Sequence, residues 1–200
     1  LNKDDVRLTR QILDEMQAEF CIDPARIYAS GHSNGAILSN RLACELSDRI
    51  AAICAVGGGI GDVNPTDSTV YFNCGPSRPV PVLQIHGLQD GCYPYNGGYG
   101  AGISNTDFVS IPHTVADWVA RNGCGASAVQ TYSFGNAVCI SYRDNCQQNA
   151  EVMLCTDTLA GHNWLGSAVY PSAATCGGEL TTDIISNDVM WEFFLAHPMP

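Results

Sequence analysis

The chain has 200 residues, enough for one domain with its own core. Its 9 Lys and Arg against 20 Asp and Glu give a net charge of −11, which argues against nucleic acid or an anionic membrane surface as a partner. With 46% hydrophobic and 14% charged residues the composition is globular and excludes wholesale disorder, and no apolar run reaches the roughly 18 residues that span a bilayer.

Val6, Leu13, Met16 and Phe20 recur at helical spacing and predict an opening helix from Asp4 to Phe20. Cys21-Ile22-Asp23-Pro24 breaks it, and Arg26 to Ser30 reads as a short buried strand running into a glycine. Leu38, Leu42 and Leu46 predict a second helix from Asn34 to Leu46. The apolar runs Ile50–Val56, ending at Gly57-Gly58-Gly59, and Val80–Ile85, ending at His86-Gly87, look like parallel strands covered on both faces. Pro112 to Asn122 predicts a helix with Val115, Trp118 and Val119 inward and Gly123 past its end. Ala137–Tyr142 and Glu151–Thr156 are strand-like, and Ile185, Val189, Met190, Phe193 and Phe194 make the closing helix amphipathic. This alternation predicts an α/β domain over residues 1–200 with a mostly parallel sheet and helices on both faces.

Ten cysteines stand scattered through the chain, with no Cys-x-x-Cys pair. An even, dispersed set reads as about five disulfides in an oxidising compartment, hence a secreted protein. Connectivity stays open, with Cys139 and Cys155 on successive strands as one cross-strand candidate. There is no initiator Met and no basic-then-apolar leader, so any signal peptide is expected to be gone. The lone Asn-x-Ser/Thr triplet, Asn64-Pro65-Thr66, is blocked for glycosylation by its proline.

Gly31-His32-Ser33-Asn34-Gly35 follows a strand and opens a helix. In that context it is a nucleophile elbow: small residues flank a serine that projects at the carboxyl edge of the sheet, where the Asn34 N–H can help bind an oxyanion. A hydroxyl nucleophile needs a base, and the base needs an orienting carboxylate, in the chain order Ser, acid, His. Asp90, after His86-Gly87-Leu88-Gln89, suits the acid, although by spacing alone Asp62 or Asp107 competes. His162, in Gly161-His162-Asn163-Trp164, suits the base; His32 and His86 precede the acid, His113 opens a helix and His197 closes one. Gly57-Gly58-Gly59 and His86-Gly87 mimic an oxyanion loop but lie downstream of the elbow, so they read as close-approach backbone.

Cys21 through Gly35 resembles the elbow region of secreted feruloyl esterases, close to the fungal type D enzymes, in the polyhydroxybutyrate-depolymerase-like branch of the α/β-hydrolases. The similarity continues through Arg78–Gly87, Asp90 with Tyr93-Pro94-Tyr95, Trp118–Cys124 and Gly161–Trp164. The resemblance implies Ser33 as nucleophile, Asp90 as acid and His162 as base, in agreement with the order argument. It makes His32, Tyr93, Tyr95 and Trp164 candidate substrate-binding residues, the last three walling a site for a phenolic acyl group. It implies a serine esterase without metal or organic cofactor, acting on feruloylated plant cell-wall polysaccharide. Acetylxylan esterase and polyhydroxyalkanoate depolymerase are the neighbouring activities, and an inactive secreted binding protein on the same scaffold is the non-enzyme alternative. An α/β-hydrolase carries several strands before its nucleophile, and an upstream loop supplies the second oxyanion N–H. Only one helix and the elbow strand precede Ser33, so the chain is expected to be N-terminally incomplete and to lack that donor.

Overall fold

The computed structural model describes residues 4–63, 74–101, 106–168 and 176–200; the Asn64-Pro65-Thr66 triplet lies outside them. In chain order the elements are α1 (Asp5–Glu19), β1 (Ala29–His32), α2 (Asn34–Glu45), β2 (Ile53–Val56), β3 (Asp62–Val63), β4 (Val82–Gly87), β5 (Gly98–Tyr99), β6 (Asp107–Phe108), α3 (Ile111–Arg121), β7 (Val129–Phe134), β8 (Ala137–Tyr142), β9 (Val152–Asp157) and α4 (Ser186–Ala196). The main sheet has the order β1-β2-β4-β9-β8-β7. Its first four strands are parallel, and β8 and β7 add on antiparallel. A small antiparallel sheet, β3-β6-β5, sits apart. The architecture is that of an α/β-hydrolase sheet.

Alternation along the strands builds two cores. Ile53, Val82, Val152 and Leu154 face α2 and α3, where Leu42, Leu46, Val115 and Trp118 pack on them. Cys54, Val56, Leu83, Ile85 and Cys155 face the opposite side, against Phe193 and Phe194 of α4. Strands covered on both faces must be apolar at every position, which is why β2 and β4 read as unbroken runs. Each such buried aliphatic contributes about 1.5–3 kcal/mol.

The expected Arg26–Ser30 strand is displaced. Pro24–Arg26 winds into a 3₁₀ turn, with the Asp23 carboxylate accepting from the Ala25 N–H, and pairing starts only at Ala29. Asp4 caps α1 by accepting from the Arg7 N–H, but the helix buries only Val6 fully. Met16 and Phe20 lie on a stripe with Leu8 and Ile12 that faces out, 42–57% exposed. Among the described residues β1 pairs with β2 alone and forms one edge of the sheet. No described helix is long and apolar enough to cross a membrane.

Four disulfides form: Cys44–Cys74, Cys92–Cys176, Cys124–Cys146 and the cross-strand Cys139–Cys155. Cys21, exposed, and Cys54, buried, are thiols, so the expected fifth bridge is not made. Cys54 sits inside the sheet layer, where burial pushes its thiol far up from the ordinary range.

Candidate active site

Ser33 occupies the junction between β1 and α2 with φ 59° and ψ −118°, a left-handed conformation that L residues adopt at a cost. The turn is feasible because its flanks are small. A methyl on Gly31 would meet the Gly35 carbonyl carbon and oxygen at 2.4 Å, and one on Gly58 would meet the Ser33 carbonyl oxygen at 2.7 Å. The close-approach reading of the 57–59 glycines therefore holds. Behind the elbow, Asn40 donates to the carbonyls of Ala36 and Gly59 and accepts from the indole N–H of Trp118. This fully buried knot ties α2, α3 and the glycine loop together.

β4 carries the chain to Asp90, and β9 leads to the loop bearing His162. Ser33 Oγ lies 2.9 Å from His162 Nε2, and His162 Nδ1 lies 2.7 Å from Asp90 Oδ2. The serine hydroxyl donates to the imidazole, and the imidazole donates to the carboxylate. Asp90 Oδ1 accepts from the backbone N–H groups of Cys92 and Tyr93 at 2.9 and 2.8 Å. Asp107 instead lies in β6, paired with β3 and β5, and Asp62 in β3. The structure thus brings Ser33, Asp90 and His162 into one hydrogen-bonded line at the carboxyl ends of parallel strands. As the first residue of α2, Asn34 has an N–H with no carbonyl one turn earlier to bond.

His32 and His86 surround this line. The His32 ring centroid is 4.6 Å from that of His162, its Nε2 is buried without a partner, and burial lowers its pKa to about 4. His86 is wholly buried, with Nε2 2.9 Å from the Tyr93 carbonyl oxygen and 3.3 Å from Asp90 Oδ2. Burial lowers its pKa too, outweighing the pull of Asp90, so it is neutral and the Asp90 contact is not an ion pair. The sequence offered His86 as a base candidate that chain order disfavours and as part of a His-Gly oxyanion-loop mimic, not as a neighbour of the acid. Its place at the inner end of an apolar run, four residues before the acid, was the available signal.

The aromatic candidates separate. Tyr93 is 2% exposed, packs on Phe108 and donates its hydroxyl toward the carbonyls of Gly61 and Val109. Its ring and hydroxyl are thus enclosed in the core, near Asp90 in the chain. Tyr95 is half-buried and lines a cavity of about 530 Å³ with α3 and β8 residues such as Val115, Val119 and Ile140; none of Ser33, Asp90 or His162 lines it. Trp164 donates its indole N–H to Asn187 Oδ1 at 3.0 Å, tying the His162 loop to α4.

No family model matches the chain. It is 34% identical over 161 residues to Feruloyl esterase B of Piromyces equi, covering 80% of this chain and 29% of that protein. It is 25% identical over 195 residues to Feruloyl esterase C of Emericella nidulans, covering 98% of this chain and 59% of that protein. The chain therefore spans between 29% and 59% of the length of these two relatives.

Proposed function

We propose that residues 1–200 belong to a single catalytic domain of a secreted serine carboxylesterase that hydrolyses feruloyl or related hydroxycinnamoyl esters of plant cell-wall polysaccharide. The observation that carries this reading is the line Ser33 Oγ–His162 Nε2, His162 Nδ1–Asp90 Oδ2 on a strand-to-helix elbow. The similarity to proteins named feruloyl esterase supports the acyl group, and the four disulfides support an oxidising compartment.

In this reading His162 Nε2 takes the Ser33 proton as Oγ attacks the ester carbonyl, and Asp90 stabilises the imidazolium that forms. The Asn34 N–H meets the developing oxyanion. Collapse expels the sugar alcohol, which takes the proton from His162 and leaves an acyl-Ser33. Water, giving its proton to the same nitrogen, attacks the acyl carbon; collapse breaks the bond to Ser33 Oγ, which takes that proton back from His162, and releases the hydroxycinnamic acid. His32, with an unpartnered buried Nε2 beside His162, and Trp164 flank the base and are the substrate-contact candidates.

Methyl ferulate, acetylated xylan and hydroxybutyrate oligomers assayed side by side test the substrate. A clear preference for acetyl or hydroxybutyrate esters would move the assignment to acetylxylan esterase or polyhydroxyalkanoate depolymerase. A fluorophosphonate probe tests the chemistry. Labelling lost in Ser33→Ala, with turnover down on the order of 10⁶, is expected. An unlabelled wild type would leave a binding protein on a hydrolase scaffold.

A further inference from the structure

We propose that His86 is a positioning residue for the catalytic line: its single Nε2–H donates to the Tyr93 carbonyl and so fixes the turn whose amides hold the Asp90 carboxylate in the orientation that receives His162. This inference rests on the esterase reading of the same site.

A neutral imidazole has one N–H and one bare nitrogen. His86 Nδ1 is buried with no partner, so the proton belongs on Nε2, where the Tyr93 carbonyl accepts it at 2.9 Å and Asp90 Oδ2 lies 3.3 Å away. The ring therefore bridges the turn that carries the acid, from the end of β4 to Tyr93, three residues beyond Asp90. Asp90 Oδ1 is held by the N–H groups of Cys92 and Tyr93, while Oδ2 faces the imidazoles of His162 and His86. Turning the carboxylate about its Cβ–Cγ bond would pull Oδ1 off these two amides, so the placing of the amides sets where Oδ2 points. The His86 N–H, bonded to the Tyr93 carbonyl, fixes the residue whose own amide is one of the two on Oδ1.

Packing alone does not account for a histidine here. Burying Nδ1 without a partner is a net cost that an apolar side chain of similar size would avoid. Nor does His86 act by charge, since burial keeps it neutral. What it offers over a hydrocarbon is one donor for the Tyr93 carbonyl, inside the turn that carries Asp90.

The test compares His86→Leu, which removes the donor, with His86→Gln, whose side-chain amide can place an N–H near the same point. Two readouts apply to the full chain: the far-downfield proton resonance of the His162 Nδ1–H···Asp90 hydrogen bond, and the rate of fluorophosphonate labelling at Ser33. We expect His86→Leu, folded by circular dichroism, to lose or broaden the resonance and to label about 10²-fold more slowly, with His86→Gln restoring both. His86→Phe serves if the leucine variant does not fold. An intact resonance and wild-type labelling in the folded apolar variant would overturn the proposal, as would a defect that glutamine does not relieve. A wild type that shows the resonance, with glutamine rescue, but hydrolyses no ester would instead overturn the esterase reading and leave the positioning role standing.

Discussion

The imidazoles of His32 and His162 lie 4.6 Å apart between centroids, tilted by 43°, and they differ in what surrounds them. His162 has a carboxylate on one nitrogen and a hydroxyl on the other. His32 Nε2 has neither, and a methyl on neighbouring Gly57 would lie 3.0 Å from it. The His32 pKa falls from the ordinary 6.5 to about 4, first through burial and then through repulsion from His162. In the proposed mechanism, His32 is therefore a poor place for a proton beside His162, and the proton taken from Ser33 does not pass to it.

That lowering has a consequence for stability. Between pH 6.5 and about 4 the unfolded chain holds a proton on His32 that the folded chain refuses. Stability is thus whole above 6.5 and is lost as pH falls toward 4, below which His32 adds no further slope. His86, also lowered by burial, acts in the same direction. We expect His32→Gln to flatten, without abolishing, the fall in Tm across this window. A melting curve series running parallel to wild type would show that His32 does not contribute.

Cysteine accessibility should follow the pairing. Cys21 is exposed and Cys54 is sealed between the sheet and α4. A thiol reagent should therefore count one group in the native protein and two after unfolding without reductant. Four or more after unfolding would contradict the bridges Cys44–Cys74, Cys92–Cys176, Cys124–Cys146 and Cys139–Cys155.

Gly87 ends β4 against the loop that carries His162. A methyl there would meet the Ala160 carbonyl oxygen at 2.2 Å and that of Gly161 at 2.5 Å. Backbone cannot yield as a side-chain tip can, so Gly87→Ala must push the loop away. We expect about 1–3 kcal/mol of destabilisation and a fall in kcat of about 10²-fold from misplacing the base. Wild-type kcat in this variant would show that the loop position is not critical.

Local signals made some elements and the elbow legible. Ser33 lies between a strand and a helix that the sequence itself marks, and Ala137–Tyr142 alternates buried and half-buried along its whole length. β7 was not legible because it is exposed at five of six positions and carries no inward pattern. Spacing could not separate Asp90 from Asp62 and Asp107 as the candidate acid, because what sets Asp90 beside His162 is the pairing of β4 with β2 and β9. Tyr93 looked like a site wall for a similar reason. Chain proximity to Asp90 says nothing of the side on which a ring lies, and the small sheet and α3 enclose it.

The same logic singles out Asp157, which ends β9 as Asp90 follows β4. Its Oδ1 accepts from the N–H groups of Leu159 and Ala160 at 2.9 and 3.0 Å, and its Oδ2 from the Thr181 hydroxyl at 2.7 Å. This fully buried carboxylate shapes the turn from which the chain passes, through Gly161, to His162. Leu159 is 39% exposed and water can replace its lost partner, but Ala160 is 0% exposed and its N–H would be stranded. Asp157→Ala should therefore cost about 1–3 kcal/mol for that donor alone and lower kcat by loosening the loop. Asp157→Asn keeps an oxygen for the two amides and offers an NH₂ to Thr181, whose hydroxyl can accept as well as donate. Its kcat should stay near wild type. Equal kcat in the alanine and wild-type proteins would show that the turn holds its shape without the carboxylate. Equal losses in the alanine and asparagine variants would show that charge, and not hydrogen-bond count, is what Asp157 supplies.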